Sequence, residues 1–377
     1  MRNVPKSYGW AGEVLCVDLT NRKITKVPTA DYEPEKFIGG VGLNTKIFWE
    51  LGCPKVPAFD PDNPLLISVG PLTGLSGPFT RAEICSISPQ SYPKELFSYS
   101  GIGGRWPSEL KYAGYDGMVI LGRADKPVYL SIHNEDVQIK DASHLWGLDT
   151  FEAQKELMAD DPKTSVLTIG PAGENRSRIA IILNETGSAA GQGGFGGVMG
   201  SKNLKAIAVR GTGAVKIAKP DEFLELISWV KKRGEWSKGG GQSFMRDPLV
   251  GSKKIKTEIA GKYRKRFTGC FLCPYQCYGY YSIPEIGQGA AICASWWWDK
   301  PTYYGPYPGE NTEAVWEAQL VSQKLGINQF ELAGMIGFMR VALREGLLTK
   351  KDLGLPLCER FGEKASDHEF LTALLYG

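Results

Sequence analysis

The apolar residues of this chain change their spacing near residue 215, and that change limits what the chain can fold into. Before it they come in short runs set off by glycine, proline and polar residues. These are Glu13-Val-Leu-Cys-Val-Asp18, Leu65-Leu-Ile-Ser-Val69, Met118-Val-Ile-Leu121, Val128-Tyr-Leu-Ser-Ile132, Ser165-Val-Leu-Thr-Ile169, Arg178-Ile-Ala-Ile-Ile182 and Ala206-Ile-Ala-Val209. Runs too short for helices and bounded by turn formers predict strands. Thr20-Asn-Arg-Lys23 predicts a hairpin loop into Lys23-Ile-Thr-Lys-Val27, and Asn134-Glu-Asp136 predicts a second hairpin. Helices are few here, over Gly42 to Leu51 and Thr150 to Met158.

Past the change, Pro220-Asp-Glu opens a helix over Phe223 to Lys232, with Phe223, Leu224, Leu226, Ile227 and Val230 at helical spacing behind an acidic first turn. Two more helices are predicted, from Thr312 to Leu325 and from Gln329 to Glu345. Gly239-Gly-Gly241 reads as a flexible loop. The aromatic stretch Trp296-Trp-Trp298 either lines a pocket, caps a partner surface or packs in a core. The expected class is α+β: a β-rich domain over 1–213 and a helical domain over 214–377.

With 377 residues, 42% hydrophobic and 23% charged, the chain is long and apolar enough for two or three domains with sizeable cores. A formal charge of +3 is close to neutral at this length, which argues against nucleic acid or a membrane surface as a partner. The local run Lys253-Lys-Ile-Lys256 and Lys262-Tyr-Arg-Lys-Arg266 is either a solvated face or a meeting place for an acidic electron carrier. Met1 to Trp10 lacks the apolar stretch of a signal peptide and no segment reaches the length of a membrane span, so the expected compartment is the cytoplasm. Eight cysteines, of which three cluster, fit a reducing compartment better than a disulfide framework.

The clustered cysteines are Cys270, Cys273 and Cys277. A cubane iron–sulfur cluster takes one thiolate per iron, so this Cys-x2-Cys-x3-Cys spacing supplies three corners and leaves the fourth to another residue. A zinc site usually pairs two such hairpins, and the downstream Cys293 and Cys358 do not form a second pair. The order of the gaps sets aside the radical-SAM arrangement, in which the longer gap comes first. Cys293 is near enough in sequence to fold back as the fourth ligand; the other reading is a thiol buried among the tryptophans.

Glycine contributes 46 residues and concentrates in the first region, notably in Ser98-Tyr-Ser-Gly-Ile-Gly-Gly104 and Gly191-Gln-Gly-Gly-Phe-Gly-Gly197. Bare backbone can approach a phosphate or a flat heterocycle where a side chain would hold it off; the plainer reading is tight turns between strands. Neither cluster is followed by the Lys-Ser/Thr of a phosphate loop, and the βαβ alternation of a Rossmann unit is missing.

Four strings carry a resemblance: Pro71-Leu-Thr-Gly74, Glu109-Leu-Lys-Tyr-Ala-Gly-Tyr-Asp116, Ile169-Gly-Pro-Ala-Gly-Glu-Asn175 and Gly200-Ser-Lys-Asn-Leu-Lys-Ala-Ile-Ala-Val209. In order and content, with the cysteines after them, they resemble the aldehyde:ferredoxin oxidoreductase family over about residues 10 to 345. The resemblance implies tungsten, or molybdenum, held by two pterins on the β-rich domain, and it allows a magnesium ion bridging the pterin phosphates. It implies a 4Fe-4S cluster in the helical domain. It further implies oxidation of an aldehyde or oxo group, with electrons passed through the cluster to ferredoxin or another iron–sulfur carrier subunit. A family relative instead reduces an aromatic acyl-CoA ring, so the substrate is a small aldehyde or acyl compound. A homodimer or a hetero-complex is implied as well.

Carried over by position, the resemblance makes Arg81 the arginine between the pterins, where a guanidinium can grip phosphate oxygens. Gly103 and Gly104 match the first pterin-contacting glycines, and Gln192, Gly193, Gly194 and Gly196 match the second contact, with Gln192 standing where the aldehyde oxidisers have arginine. Glu313 matches a glutamate facing the metal that can handle a proton; as a residue in a first helical turn it also suits the helix dipole. Cys270, Cys273 and Cys277 match the cluster ligands, with Cys293 the nearest substitute for a distant fourth.

This chain departs from the family pattern at Gly101, where relatives have asparagine, and at Arg105 and Trp106 beside it. Gln323-Lys-Leu-Gly-Ile-Asn328 lacks both carboxylates of the family's pterin loop. Family members are longer, and their remaining part supplies a second pterin loop, a histidine and the fourth cysteine. The expected function is therefore a tungsten- or molybdenum-pterin oxidoreductase, completed by more chain or by a partner. The alternative is a non-catalytic or electron-transfer subunit that keeps the fold, and at most the cluster, without tungstopterin.

Overall fold

The computed structural model describes residues 8–233, 260–274, 278–291 and 312–354, with single positions at 373 and 375. They fall into two compact units. One is built from the described parts of Met1–Gly234 together with Cys270–Pro274 and Leu325–Ile327, the other from the described parts of Glu235–Gly269, Tyr275–Lys324 and Asn328–Gly377. Gly239 to Gly241, Lys253 to Lys256, Cys277, Cys293, Trp296 to Trp298 and Cys358 lie outside the described residues.

The first unit contains two six-stranded sheets. In the first, β1 (Glu13–Asp18), β2 (Lys23–Pro28), β3 (Leu65–Val69), β4 (Ala82–Ser88), β5 (Leu96–Ile102) and β6 (Tyr115–Leu121) take the order β2-β1-β6-β3-β4-β5. In the second, β7 (Val128–His133), β8 (Asp136–Asp141), β9 (Ser165–Thr168), β10 (Ile182–Asn184), β11 (Ser188–Ala190) and β12 (Leu204–Arg210) take the order β11-β10-β9-β12-β7-β8. Parallel pairing occurs at β1 with β6 and at β7 with β12, and the other pairs are antiparallel. Both predicted hairpins form, Asp18 opposite Lys23 and His133 opposite Asp136.

The helices of this unit are α1 (Pro34–Phe37), α2 (Val41–Glu50), α3 (Trp106–Tyr112), α4 (Thr150–Leu157), α5 (Pro171–Glu174), α6 (Phe195–Ser201) and α7 (Pro220–Arg233). Alternation along the strands decides which core each residue joins. Leu65 and Ile67 of β3, Ile84 of β4 and Ile120 of β6 share the main core with Leu130, Leu167 and Ile207 of the second sheet. Their neighbours Leu66, Cys85 and Val119 point the other way and pack with Leu43, Ile47 and Phe48 of α2. In the second sheet Val166, Ala206 and Ala208 turn toward Leu157 of α4. Each fully buried aliphatic side chain contributes about 1.5–3 kcal/mol of transfer free energy. α3 packs on β6, β9 and β12, and α6 on β4 and β12, so both touch strands of the two sheets. Their Trp106 and Phe195 are wholly buried in the main core.

Three differences from the sequence expectations have physical causes. The strand expected over Arg178 to Ile182 begins only at Ile182, because Ala180 instead bridges Ile327 and the Ile181 N–H donates to the Gly326 carbonyl at 2.9 Å. β4 and β5 were not foreseen, because their serines break the apolar pattern. Buried Ser86 is satisfied as a donor to Asn63 and Pro64, and Ser88 as a donor to Gly193. The second glycine cluster runs into a helix, α6, despite glycine's poor helix propensity. Close packing compensates: a Cβ at Gly196 would lie 2.4 Å from the Ile181 carbonyl oxygen, and one at Gly200 would meet the Gly173 carbonyl oxygen.

The second unit is not purely helical. β13 (Arg264–Thr268), β14 (Tyr278–Ile283) and β15 (Gly287–Ala291) form an antiparallel sheet, preceded by the short α8 (Ala260–Tyr263). The predicted helices are present as α9 (Thr312–Leu325) and α10 (Gln329–Arg344), followed by α11 (Lys350–Leu353). Alternate residues of β14 are buried, among them Tyr281, whose ring meets Trp316 of α9 at 5.2 Å. Asn328 caps α10, its side-chain oxygen accepting from the Phe330 N–H at 3.0 Å. Among the described residues no helix is long and apolar enough to cross a membrane.

Candidate cofactor and metal site

The strings that carry the resemblance prove to hold buried charges. Asp116, fully buried, accepts from the N–H groups of Ala11 and Gly12, from the Thr29 hydroxyl and from the buried Lys111 ammonium. Glu174 pairs with buried Lys205, and Glu109 with Arg105 and Arg210. Lys202 donates to the carbonyls of Pro61 and Gly122. Such groups cannot be stripped of partners cheaply, so their pairing ties the strands and turns of the first unit together.

Arg81 lies just before β4 with its side chain 58% exposed. In the ladder Glu83 faces Gly101 of β5, and a Cβ at Gly101 would meet the Arg81 guanidinium and, at 2.8 Å, Glu83 Oε1. Glycine at 101 is what admits this pair. Burial pushes the Glu83 carboxyl up from its ordinary value, partly opposed by Arg81, and its second oxygen is buried without a hydrogen-bond partner.

The two glycine clusters meet here. The Gln192 N–H donates to the Ser100 hydroxyl at 3.2 Å, while the Gln192 side chain is exposed. Gly193 is gripped from β4 and the turn after it: its N–H donates to Gln90 Oε1 at 2.5 Å and its carbonyl accepts from Ser88 at 2.9 Å. The bare faces of Gly194 and Gly196 are taken up by chain, against the carbonyls of Arg178 and Ile181. Gly191 has nothing within 4 Å of where a Cβ would stand, so a side chain there would meet open space.

The first two cysteines of the triplet are brought to this same face. A Cβ at Gly103 would lie 2.5 Å from Cys270 Sγ, and one at Gly104, which has φ +82°, would strike the Asn184 side chain. The loop is tied down by Phe271 N–H to the Gly104 carbonyl at 3.0 Å and by Gly77 N–H to the Leu272 carbonyl at 3.1 Å. The Thr80 hydroxyl donates to the Phe271 carbonyl, and the Cys273 N–H closes a turn on the Cys270 carbonyl at 3.1 Å. Cys270 and Cys273 are both partly exposed.

Arg81, Gly103, Gly104, Gln192, Gly193 and Cys270 are thus gathered in one unit, as is Leu325–Ile327 of the string Gln323 to Asn328, whose Gly326 approaches the Gly170 nitrogen. Glu313 is the second residue of α9 in the other unit; its side chain lies outside the described residues. No group of three potential metal-binding side chains comes together among the described residues. Ser100, Glu83 and Gln90, which the structure brings beside these residues, had no spacing signal in the sequence, being single polar residues in short strands and turns.

The family model described as aldehyde ferredoxin oxidoreductase, N-terminal domain, matches residues 14–211, and that for domains 2 & 3 matches residues 205–376. A tungsten-containing aldehyde ferredoxin oxidoreductase of Pyrococcus abyssi is 33% identical over 92% of this chain and 61% of its own length. An aliphatic sulfonate oxidoreductase, WOR-like subunit, of Pyrococcus furiosus is 34% identical over 93% of this chain and 62% of its own. The structure of the active site complex BamBC of benzoyl coenzyme A reductase in complex with 1,5 dienoyl-CoA aligns with a TM-score of 0.81 at 29% identity. That alignment covers 97% of this chain and 59% of the other. The chain spans about three fifths of the length of the curated relatives it matches. With its N-terminal match alone taking in more than half the residues, this chain belongs to the aldehyde ferredoxin oxidoreductase family.

Proposed function

We propose that the chain carries a tungsten- or molybdenum-pterin cofactor on the face made by Arg81 and the two glycine loops, and a 4Fe-4S cluster on Cys270, Cys273 and Cys277. Its reaction is then oxidation of an aldehyde or oxo group of a small aldehyde or acyl compound, with electrons leaving to ferredoxin or another iron–sulfur carrier. The observation that carries this reading is the seating of the Cys270 loop directly on Gly103 and Gly104.

The residues present fit the cofactor. Arg81 offers an exposed guanidinium for phosphate oxygens, and the buried Glu83 Oε2 and Gln90 Nε2 lack hydrogen-bond partners of their own. When bound, the pterin-held metal supplies two-electron chemistry and the cluster hands electrons on singly. Arg81 would hold the phosphates, and a magnesium ion there would add positive charge against them. Gly104 and Thr80 fix the cysteine loop. Glu313 holds or moves the proton that hydration of a carbonyl requires. Residues 1–213 then form the pterin domain and 214–377 the cluster domain, with Cys293 the proposed fourth ligand and a homodimer or hetero-complex the working assembly.

A second reading, a subunit with the cluster but no tungstopterin, is favoured by Gln192, a neutral exposed side chain where the aldehyde oxidisers carry a charge. Metal analysis of anaerobically purified protein separates the two. Tungsten or molybdenum with pterin supports the first, and about four irons per chain with no heavy metal supports the second. Zinc alone overturns both.

A further inference from the structure

We infer that Arg105 is a positioning cation for the Cys270–Cys273 loop: its guanidinium latches that loop to the glycine turn and makes an iron–sulfur cluster held there easier to reduce. The inference rests on the cluster reading proposed above.

Arg105 follows Gly104 directly, and its guanidinium lies 5.1 Å from the centre of the Phe271 ring, between the two cysteines in sequence. Backbone and side chain therefore grip the same residue, since the Phe271 N–H also donates to the Gly104 carbonyl. The guanidinium itself is fixed by Glu109: Arg105 Nε donates to Oε1 at 2.8 Å and Nη2 lies 2.7 Å from the same oxygen. Glu109 is 1% exposed, so the fork has one place to go.

That carboxylate is shared with a second cation. Its other oxygen takes the Gly211 N–H at 2.8 Å and the Arg210 guanidinium at 3.2 Å, so one buried carboxylate serves two cations. Asp161, which also reaches Arg210, is 46% exposed and screened by solvent. Glu185 also faces Arg105, its carboxyl pushed up by burial and held back by Arg105, so the cation beside the cysteine loop is Arg105, with Glu109 and Glu185 as its counter-charges. A positive charge favours the more negative, reduced state of a cluster, because net charge is one of the terms that set its potential. The step biased is uptake of one electron by the cluster, supplied by the aldehyde undergoing oxidation and passed on to the iron–sulfur carrier.

The test compares wild type, Arg105→Met and Arg105→Lys as full chains purified anaerobically, with iron content and a spin-resonance redox titration of each. Arg105→Met is expected to titrate at a more negative potential, by the equivalent of at least a tenfold change in the reduced-to-oxidised ratio, about 59 mV for one electron. Arg105→Lys keeps the charge and is expected to stay close to wild type. The loaded fraction reports the potential even where loading falls. Equal potentials in wild type and Arg105→Met overturn the inference, as does a shift in Arg105→Lys as large as that in Arg105→Met. A loaded Lys variant beside an empty Met variant supports it; both empty beside a loaded wild type assigns Arg105 a purely structural role and overturns it. A wild type without iron removes the cluster reading itself, before any variant is compared.

Discussion

Cys270 Sγ lies so close over the Cα of Gly103 that a Cβ there would be 2.5 Å from the sulfur. No rotation of a single methyl relieves that contact, so Gly103→Ala must push the cysteine loop off the glycine turn. Overpacking of this kind costs about 1–3 kcal/mol. Iron bound per chain is expected to fall with stability, read by metal analysis and urea unfolding. Gly191→Ala is the control: nothing stands within 4 Å of its Cβ position, and the change is expected within about 0.5 kcal/mol of wild type.

Asp116 gathers four donors while fully buried, so Asp116→Ala strands the Lys111 ammonium and three further hydrogen bonds. Breaking one side of a buried pair costs about 3–5 kcal/mol. The double change Lys111→Met with Asp116→Leu is expected to recover part of that loss, because it removes the uncompensated charge. Denaturant midpoints of wild type and the two variants check the order.

These two positions also explain what could be read from the residues and what could not. Strands such as Leu65–Val69 announced themselves because both faces are buried and the run is apolar throughout. Ala82–Ser88 did not, because Ser86 and Ser88 are core residues whose cost is offset by distant partners, Asn63 and Gly193. The glycine clusters and the cysteines were legible as chemistry-bearing types. Their meeting was not, since a separation of 167 residues between Gly103 and Cys270 leaves no local pattern. The string at 109–116 was legible as a resemblance for a reason its spacing hides: Lys111 and Asp116 must both be kept or both be lost. Gln323 to Asn328, read as a weakened pterin loop, supplies a bridge at Ile327 and the cap of α10 at Asn328.

Lys202 predicts a pH dependence of stability. It is fully buried against the carbonyls of Pro61 and Gly122, and burial first, then Arg123, pushes its pKa down from 10.5 to about 7, against the pull of Asp60 and Asp62. Between about 7 and 10.5 the unfolded chain holds a proton that the folded chain does not. Stability therefore rises with pH across that window, and the penalty is fully present below it. The span amounts to a few kcal/mol, at about 1.4 kcal/mol per pH unit. Lys202→Met is expected to lack this contribution and to be less stable than wild type at the alkaline end, where the two carbonyls lose their donor. Urea midpoints of both proteins at pH values across the window give the difference in slope.

Cys273→Ser separates a ligand from a structural thiol. The turn that Cys273 closes uses its backbone, N–H to the Cys270 carbonyl, and the side chain is only partly buried. Serine therefore leaves the loop's hydrogen bonds in place, and metal-free protein is expected to lose no more than about 1 kcal/mol. Iron bound under anaerobic conditions is expected to drop sharply, because a hydroxyl is a poor substitute for a thiolate at iron. Cys293→Ala, measured alongside, asks for the fourth corner: a matching loss of broad visible absorbance assigns it to Cys293, and an unchanged spectrum assigns it elsewhere. A Cys273→Ser protein that keeps full iron and full absorbance removes Cys273 from the ligand set, and with it the reading of this loop as a cluster site.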